Sequence, residues 1–186
     1  MKNLPFIVLA AVFLFCASAL EANPPLPRAE APVYTTSFGQ SPDSNFVYVL
    51  SQRIRLNNTH RNIGNPDGAD WNNAKTLIAV IGGSSKGLGA AGYSAQAELR
   101  RCTSFITAAR AQKKYIIGVH IGGEDRRGPT SQDFIPYAEQ VDYMIVKSDG
   151  NQDGYFTRLC AAKNIPLYTI ENTRDIEGVL KEIFGL

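Results

Sequence analysis

Residues 82–92, GGSSKGLGAAG, combine glycines, hydroxyls and a lysine in a pattern that can bind an anion. The apolar run KTLIAVI precedes this stretch and a helical pattern follows it, so a buried strand turns into a helix here. Glycine lets a ligand approach backbone N–H groups, and the start of a helix favours negative charge. The chemistry predicted is binding of a phosphate or carboxylate. The expected contributors are Gly83, Ser84, Ser85, Lys86, Gly87 and Gly89.

Polar residues also follow three other apolar runs, in the segments SFGQSPD, HIGGEDRRG and KSDGNQDG. Carboxyl ends of parallel strands share one edge of a sheet, where ligands of such sheets bind. Guanidinium groups can grip a carboxylate or phosphate there. The opposite edge carries plain connectors such as NNAK and QKK. The further site candidates are Gln40, Ser41, His120, Arg126, Arg127, Asn151 and Asp153.

Each candidate also has a structural interpretation. His120 fits a hydrogen-bonded interior histidine as well as a ligand contact, and the two arginines fit a solvated loop tip. Ser41 stands before Pro42 at the start of a helical pattern, where serine commonly caps the helix. The glycines of residues 82–92 can simply make the turn from strand to helix.

Enzyme motifs fit this chain poorly. The loop resembles the cofactor loop of short-chain dehydrogenases, and Tyr143 and Lys147 have the Tyr-x-x-x-Lys spacing of that family. In that family the pair lies on a helix, about 5–6 Å apart; in the strand predicted here about 13 Å separates them. No Walker A motif occurs in the sequence. A secreted hydrolase using Ser41 or His120 stays open, as does an interaction module without a small ligand.

Apolar runs that alternate with helical patterns position these residues. They predict a single three-layer α/β/α domain, flavodoxin-like or Rossmann-like, with a mainly parallel sheet of about five strands. The strands are expected at 31–38, 76–82, 115–122, 141–147 and 165–171. Helices are expected at 41–56, 90–113, 131–140, 153–163 and 173–184. The first helix is expected to bury Phe46, Val49, Leu50 and Ile54. The polar segment 57–73 is predicted to be a long loop that can hide a short edge strand.

The N-terminus predicts export. Residues 1–22 are typical of a signal peptide, with an uncleaved anchor as the alternative; 23–31 form a Pro-rich leader and 32–186 the domain. In an oxidising compartment Cys102 and Cys160 can form a disulfide, or they are two small buried residues. They are too few for a metal cluster. The net charge of +2, without any long Lys/Arg run, argues against nucleic-acid binding.

The segments TSFGQSPDS, GGSSKGLGAAG, GVHIGGEDRRG and SDGNQDGYFT resemble an exported bacterial family of unknown function. The likeness runs from about residue 32 to the C-terminus and implies a secreted or periplasmic single domain. It brings no known ligand or catalytic residue. From the residues themselves we expect a non-catalytic domain that binds a small anionic ligand, with no cofactor, no metal, no nucleic acid and no membrane span after signal cleavage. The oligomeric state stays open.

Overall fold

Six parallel strands form one sheet in the computed structural model, which describes residues 23–186. The predicted signal peptide, residues 1–22, lies outside them. The strands are β1 (Val33–Phe38), β2 (Asn58–His60), β3 (Thr76–Ile81), β4 (Tyr115–His120), β5 (Tyr143–Lys147) and β6 (Leu167–Ile170). Their order, β2-β1-β3-β4-β5-β6, is the flavodoxin-like order with one strand added. The α/β fold is confirmed. The sixth strand is the short edge strand β2, inside the segment 57–73 that was predicted as a long loop able to hide an edge strand.

Helices cover both faces of the sheet. They are α1 (Asp43–Arg53), α2 (Gly68–Asn73), α3 (Ser85–Ala91), α4 (Ala95–Ala111), α5 (Pro129–Gln132), α6 (Tyr155–Lys163) and α7 (Ile176–Phe184). Four short 3-10 segments lie at Gly123–Arg126, Ile135–Gln140, Ser148–Asn151 and Thr173–Asp175. One core packs between the sheet and α1 with α7, and the other between the sheet and α2, α4 and α6.

The central strands are mainly apolar because both of their faces are buried. In β3, Leu77, Ala79 and Ile81 belong to one core, while Ile78 and Val80 belong to the other. Alternate side chains of a strand point to opposite faces, which produces this division. The continuous apolar runs in the sequence are the signature of this double burial.

The buried face of α1 differs from the prediction. Phe46 and Val49 are 59% and 56% exposed, whereas Val47 and Leu50 are buried. Ser44 and Ser51 complete the buried stripe and bond to polar side chains near β2. The prediction was right for Leu50 and for Ile54, which packs against the core, and wrong for Phe46 and Val49. It failed there because two serines occupy inward positions, and hydrophobicity alone therefore selects the neighbouring residues.

Five helices end with a residue in the left-handed conformation. These residues are Arg55, Gly92, Lys113, Asn164 and Gly185, with φ between 54° and 72°. At the end of α4, Lys113 N–H donates to Arg110 O and Lys114 N–H donates to Ala109 O, which is the Schellman pattern. Glycine adopts this backbone with least strain, so a lysine or arginine there is uncommon.

The leader packs on the domain without regular secondary structure. The Asn23 side chain exchanges two hydrogen bonds with the Thr169 backbone of the edge strand β6. Farther on, Ala29 N–H donates to Ile183 O, and the Glu30 carbonyl accepts from Thr76 Oγ1. The leader therefore ties the β6 edge, the end of α7 and the start of β3 together.

Both cysteines within residues 23–186 are buried free thiols rather than a disulfide. Burial raises the pKa of the Cys160 thiol to about 11 and the pKa of the Cys102 thiol well above its ordinary value. The thiols therefore stay protonated and pack as small apolar groups.

No helix within residues 23–186 is long and apolar enough to cross a membrane.

Candidate functional site

The loops that follow β1 and β3 are bonded to one another at the carboxyl edge. Gly82 N–H donates to Phe38 O at 3.0 Å, and Ser84 N–H donates to Gly39 O at 2.9 Å. Gln40 and Gly83 form an antiparallel bridge between these two bonds. The point between β1 and β3, where strand order reverses, is where ligands of this fold usually bind. Here, hydrogen bonds between the backbones of the two loops close that point.

Gln40 and Ser41 point into the protein. Gln40 has a left-handed backbone and is 7% exposed; its amide donates to Asn62 O at 2.7 Å and to Glu98 Oε2 at 3.0 Å. Ser41 is 1% exposed, and its hydroxyl accepts from Asp43 N–H at 3.0 Å in a local turn that leads into α1. Both residues hold the β1 loop in place.

A buried ion pair beneath this loop had not been predicted. Glu98 and Arg101 are fully buried on α4 and bond through Nε–Oε2 at 2.7 Å and Nη2–Oε1 at 2.8 Å. Glu98 also accepts from Gly39 N–H at 3.0 Å, and Arg101 donates to Thr36 Oγ1 at 3.0 Å and to Ser37 O. The sequence indicates this position through spacing alone, since Glu98 and Arg101 lie on the same helical stripe as Cys102 and Phe105.

The glycines of this edge accommodate other loops of the same chain. A Cβ built on Gly83 lies 2.3 Å from Thr130 O, and one built on Gly87 lies 1.9 Å from Gln40 O. Built on Gly89, it meets nothing within 4 Å. Close backbone packing therefore explains Gly83 and Gly87, while neither packing nor a left-handed backbone requires Gly89.

The remaining residues of the GGSSKGLGAAG loop have separate roles. Ser84 Oγ accepts from Gly87 N–H at 3.1 Å and caps α3. Ser85 Oγ lies 2.8 Å from Thr130 Oγ1, across the gap to the segment after β4. Lys86 is exposed, and no ion pair within residues 23–186 includes it.

The two arginines after β4 pair with carboxylates to different extents. Arg127 binds both Asp153 oxygens, at 3.0 and 2.8 Å, and packs against the rings of Tyr155 and Phe156. The hydrogen bonds from Arg127 lower the pKa of Asp153 to about 2. The contact of Arg126 is looser: its Nε lies 3.4 Å from Asp43 Oδ2 without hydrogen-bond geometry.

Asn151 and His120 also bond within the protein. The Asn151 side chain accepts from Phe156 N–H at 2.9 Å and donates to Thr157 Oγ1, which fixes the start of α6. His120 is fully buried, and its Nδ1 lies 2.9 Å from Ile81 O. A carbonyl accepts, so Nδ1 carries the proton. Burial lowers the pKa of His120, which favours the neutral ring.

Buried polar atoms without a hydrogen-bond partner concentrate at this edge, and two of them, Arg126 Nε and Asp43 Oδ2, form the loose ion pair described above. Six buried side-chain N or O atoms within residues 23–186 lack a hydrogen-bond partner, and only Trp71 Nε1 belongs to another region. The other five are Asp43 Oδ2, His120 Nε2, Arg126 Nε, Arg127 Nε and Asp149 Oδ1. Buried polar atoms are normally satisfied, so a cluster of exceptions points to a functional region.

A cavity of about 210 Å³ opens beside this cluster, between the loop after β3 and the segment 125–131. Four predicted site residues line it: Gly83, Ser84, Ser85 and Arg126. Nine do not: Gln40, Ser41, Lys86, Gly87, Gly89, His120, Arg127, Asn151 and Asp153. Asp125, Thr130 and Ser131 also line it and had not been proposed. The run GPTS at 128–131 had the polar, turn-forming composition that could have flagged them.

Other chemistries find little support in the geometry. Ser41 Oγ accepts from the α1 backbone, and His120 bonds to a carbonyl, so neither forms a nucleophile–base pair in the part of the chain that the structure describes. Tyr143 and Lys147 lie at opposite ends of β5. Across residues 23–186 no group of three His, Cys, Asp or Glu side chains could hold a metal ion.

A protein family described as Domain of unknown function (DUF6305) matches residues 30–184. The chain belongs to this DUF6305 family. The match spans all six strands and all seven helices described above. No curated protein and no solved structure matches the chain significantly.

Proposed function

We propose that this chain is an exported, non-catalytic domain that binds a small anionic ligand at the carboxyl edge of its sheet. The ligand occupies the cavity between residues 83–85 and 125–131. The cavity has a volume of about 210 Å³, which is the volume of roughly seven water molecules in the liquid. Pockets for drug-sized ligands hold about 300–1,000 Å³. The cavity suits a phosphate or a short carboxylate rather than a nucleotide.

Arg126 carries this proposal. Its side chain lines the cavity and is 25% exposed, and its Nε faces Asp43 Oδ2 at 3.4 Å without a hydrogen bond. The contact of Nη1 with Asp125 O is also long, at 3.4 Å. The guanidinium therefore has donors to offer an anion, in contrast to Arg127, which Asp153 holds at both oxygens.

The hydroxyls of Ser85 and Thr130 complete the proposed site. They lie 2.8 Å apart on opposite walls of the cavity. A hydroxyl can both donate and accept, so each can turn from its partner toward a bound oxyanion. Asp43 and Asp125 near Arg126 offset part of its charge, which favours a ligand of low charge.

The test compares Arg126→Gln with Lys86→Gln by thermal melting and calorimetric titration against phosphate, sulfate and short carboxylates at constant ionic strength. Both substitutions remove one positive charge, but Lys86 lies outside the cavity. We expect Arg126→Gln to weaken binding about 10-fold or more, since hydrogen bonds to charged groups contribute about 1.5–3 kcal/mol. Lys86→Gln should bind as the wild type does. Equal affinity of Arg126→Gln and wild type for every anion would refute the proposal.

A further inference from the structure

A second polar cavity lies at the opposite, amino edge of the sheet, where the sequence indicated plain connectors. It holds about 280 Å³. Three cations line it, together with one acid and two hydroxyl-bearing residues: Arg28, Lys75, Lys113, Glu30, Thr76 and Tyr115. They come from the leader, the connection into β3 and the connection from α4 to β4. Three chain segments far apart in sequence thus meet around one basic cavity.

Hydrogen bonds fix the three walls. Lys75 N–H donates to Pro32 O at 2.8 Å, and Thr76 Oγ1 donates to Glu30 O at 2.7 Å, which joins the leader to β3. Tyr115 N–H donates to Lys75 O at 3.1 Å, which joins the third wall. The cavity is therefore formed by the fold itself and needs no rearrangement.

The charges around this cavity are unbalanced. Arg28, Lys75 and Lys113 have no carboxylate partner among residues 23–186, and Glu30 is the one acid in the lining. Lys114 lies close by; burial lowers its pKa, and the charge of Lys75 lowers it further. The three cations are exposed and line one cavity with a single acid, so their like charges repel one another. An anion in the cavity would relieve that repulsion.

Helix dipoles account for only part of this arrangement. The C-terminus of a helix attracts cations, which suits Lys113 after α4 and Arg28, whose Nη1 donates to Glu182 O near the end of α7. Lys75 directly precedes the strand β3, so no helix dipole explains a cation at this position. Lys113 also has a left-handed backbone with φ of 54°, where glycine would be less strained.

We propose that the amino-edge cavity binds a phosphate-type oxyanion, either free or as the headgroup of a phosphorylated molecule. Lys75, Lys113 and Arg28 supply the positive charge, and Tyr115 and Thr76 form part of the wall. This site is separate from the carboxyl-edge cavity and independent of Arg126.

The experiment measures binding of inorganic phosphate and pyrophosphate by calorimetry, at constant ionic strength set with chloride. Lys75→Gln should weaken binding about 10-fold or more. Lys113→Gly should weaken it as well, yet raise the melting temperature by about 2–4 °C because glycine relieves the left-handed strain. Arg55→Gly is the matched control: Arg55 ends α1 with φ of 57° and does not line the cavity. It should raise the melting temperature and leave phosphate affinity unchanged.

Unchanged affinity in both Lys75→Gln and Lys113→Gly would overturn this inference. So would chloride if it raises the melting temperature of the wild type as much as phosphate does at the same ionic strength, since that indicates screening alone. Loss of all phosphate binding in Arg126→Gln, with no effect of Lys75→Gln, would leave the carboxyl-edge proposal standing and remove this one. A second arm uses co-sedimentation with vesicles of phosphatidylglycerol and phosphatidylcholine. Vesicle binding that Lys75→Gln abolishes, without binding of free phosphate, would support the same cavity with a lipid headgroup as the source.

Discussion

At the scale of single residues, the glycines of the carboxyl edge are explained by contacts within the chain. Gly122 shows the same arrangement as Gly83 and Gly87, since a Cβ built on it lies 2.5 Å from Asp43 Oδ2 and 2.1 Å from Arg126 Cγ. A glycine that admits a ligand and one that admits a neighbouring loop are identical in sequence. The three-dimensional contacts are what separate these two interpretations.

Gly87 and Gly89, two residues apart on α3, provide a test of this explanation. Gly87→Ala should lower the free energy of unfolding by about 1–3 kcal/mol, because its Cβ would collide with the Gln40 carbonyl. Gly89→Ala should raise it by about 0.5–1 kcal/mol, because that position is open and alanine favours a helix. Urea denaturation of both variants measures the difference. Similar stability of the two would contradict the packing explanation.

At the scale of elements, apolar periodicity predicted the five longer strands of the sheet. It gave no signal for the three-residue strand β2 at the edge. The five predicted strands correspond to β1, β3, β4, β5 and β6. The sixth, β2, has three residues and pairs with β1 alone, so its sequence, NTH, needs no apolar run. The inward serines of α1 escaped prediction for a related reason, because hydrogen bonds rather than hydrophobic contacts bury them.

The leader is an element in its own right, because it covers an open sheet edge. Asn23 occupies both the N–H and the C=O of Thr169, groups that β6 would otherwise offer to another chain. Asn23→Ala should lower the free energy of unfolding by about 0.5–1.5 kcal/mol and produce concentration-dependent self-association in sedimentation velocity.

Ser94→Ala is the control for this leader experiment. It removes the α4 cap, at a cost of about 1 kcal/mol, and leaves β6 covered. If both variants self-associate equally, general destabilisation is the cause. If neither does, the Asn23 contact does not protect the edge.

At the scale of the whole molecule, the sequence could predict which residues share an edge but not which way they face. All thirteen candidate residues follow or end the predicted strands, as the fold requires. Orientation depends on partners far along the chain: the Gln40 amide bonds to Glu98, 58 residues later. The charge balance of each edge also emerges only on folding, since cations of the carboxyl edge are largely paired with acids while those around the amino-edge cavity are not.

The Glu98–Arg101 pair connects separate parts of the fold, because it bonds α4 to β1 and to the loop at the point where the strand order reverses. Removing one member leaves the other as an uncompensated buried charge, so Arg101→Met should lower the free energy of unfolding by about 3–5 kcal/mol. The double variant Glu98→Gln/Arg101→Met should cost less than the sum of its single variants, with a coupling of about 0.5–3 kcal/mol.

Arg61 and Asp70 provide the matched cycle on the surface. They are paired at 2.9 Å, and their side chains are 60% and 48% exposed. Water and salt screen that pair, so its coupling should be much smaller than that of the buried pair and should fall further as salt rises. Additive single variants at Glu98 and Arg101, or a coupling no larger than that of Arg61 and Asp70, would mean that the loop at the reversal point holds its shape without this ion pair.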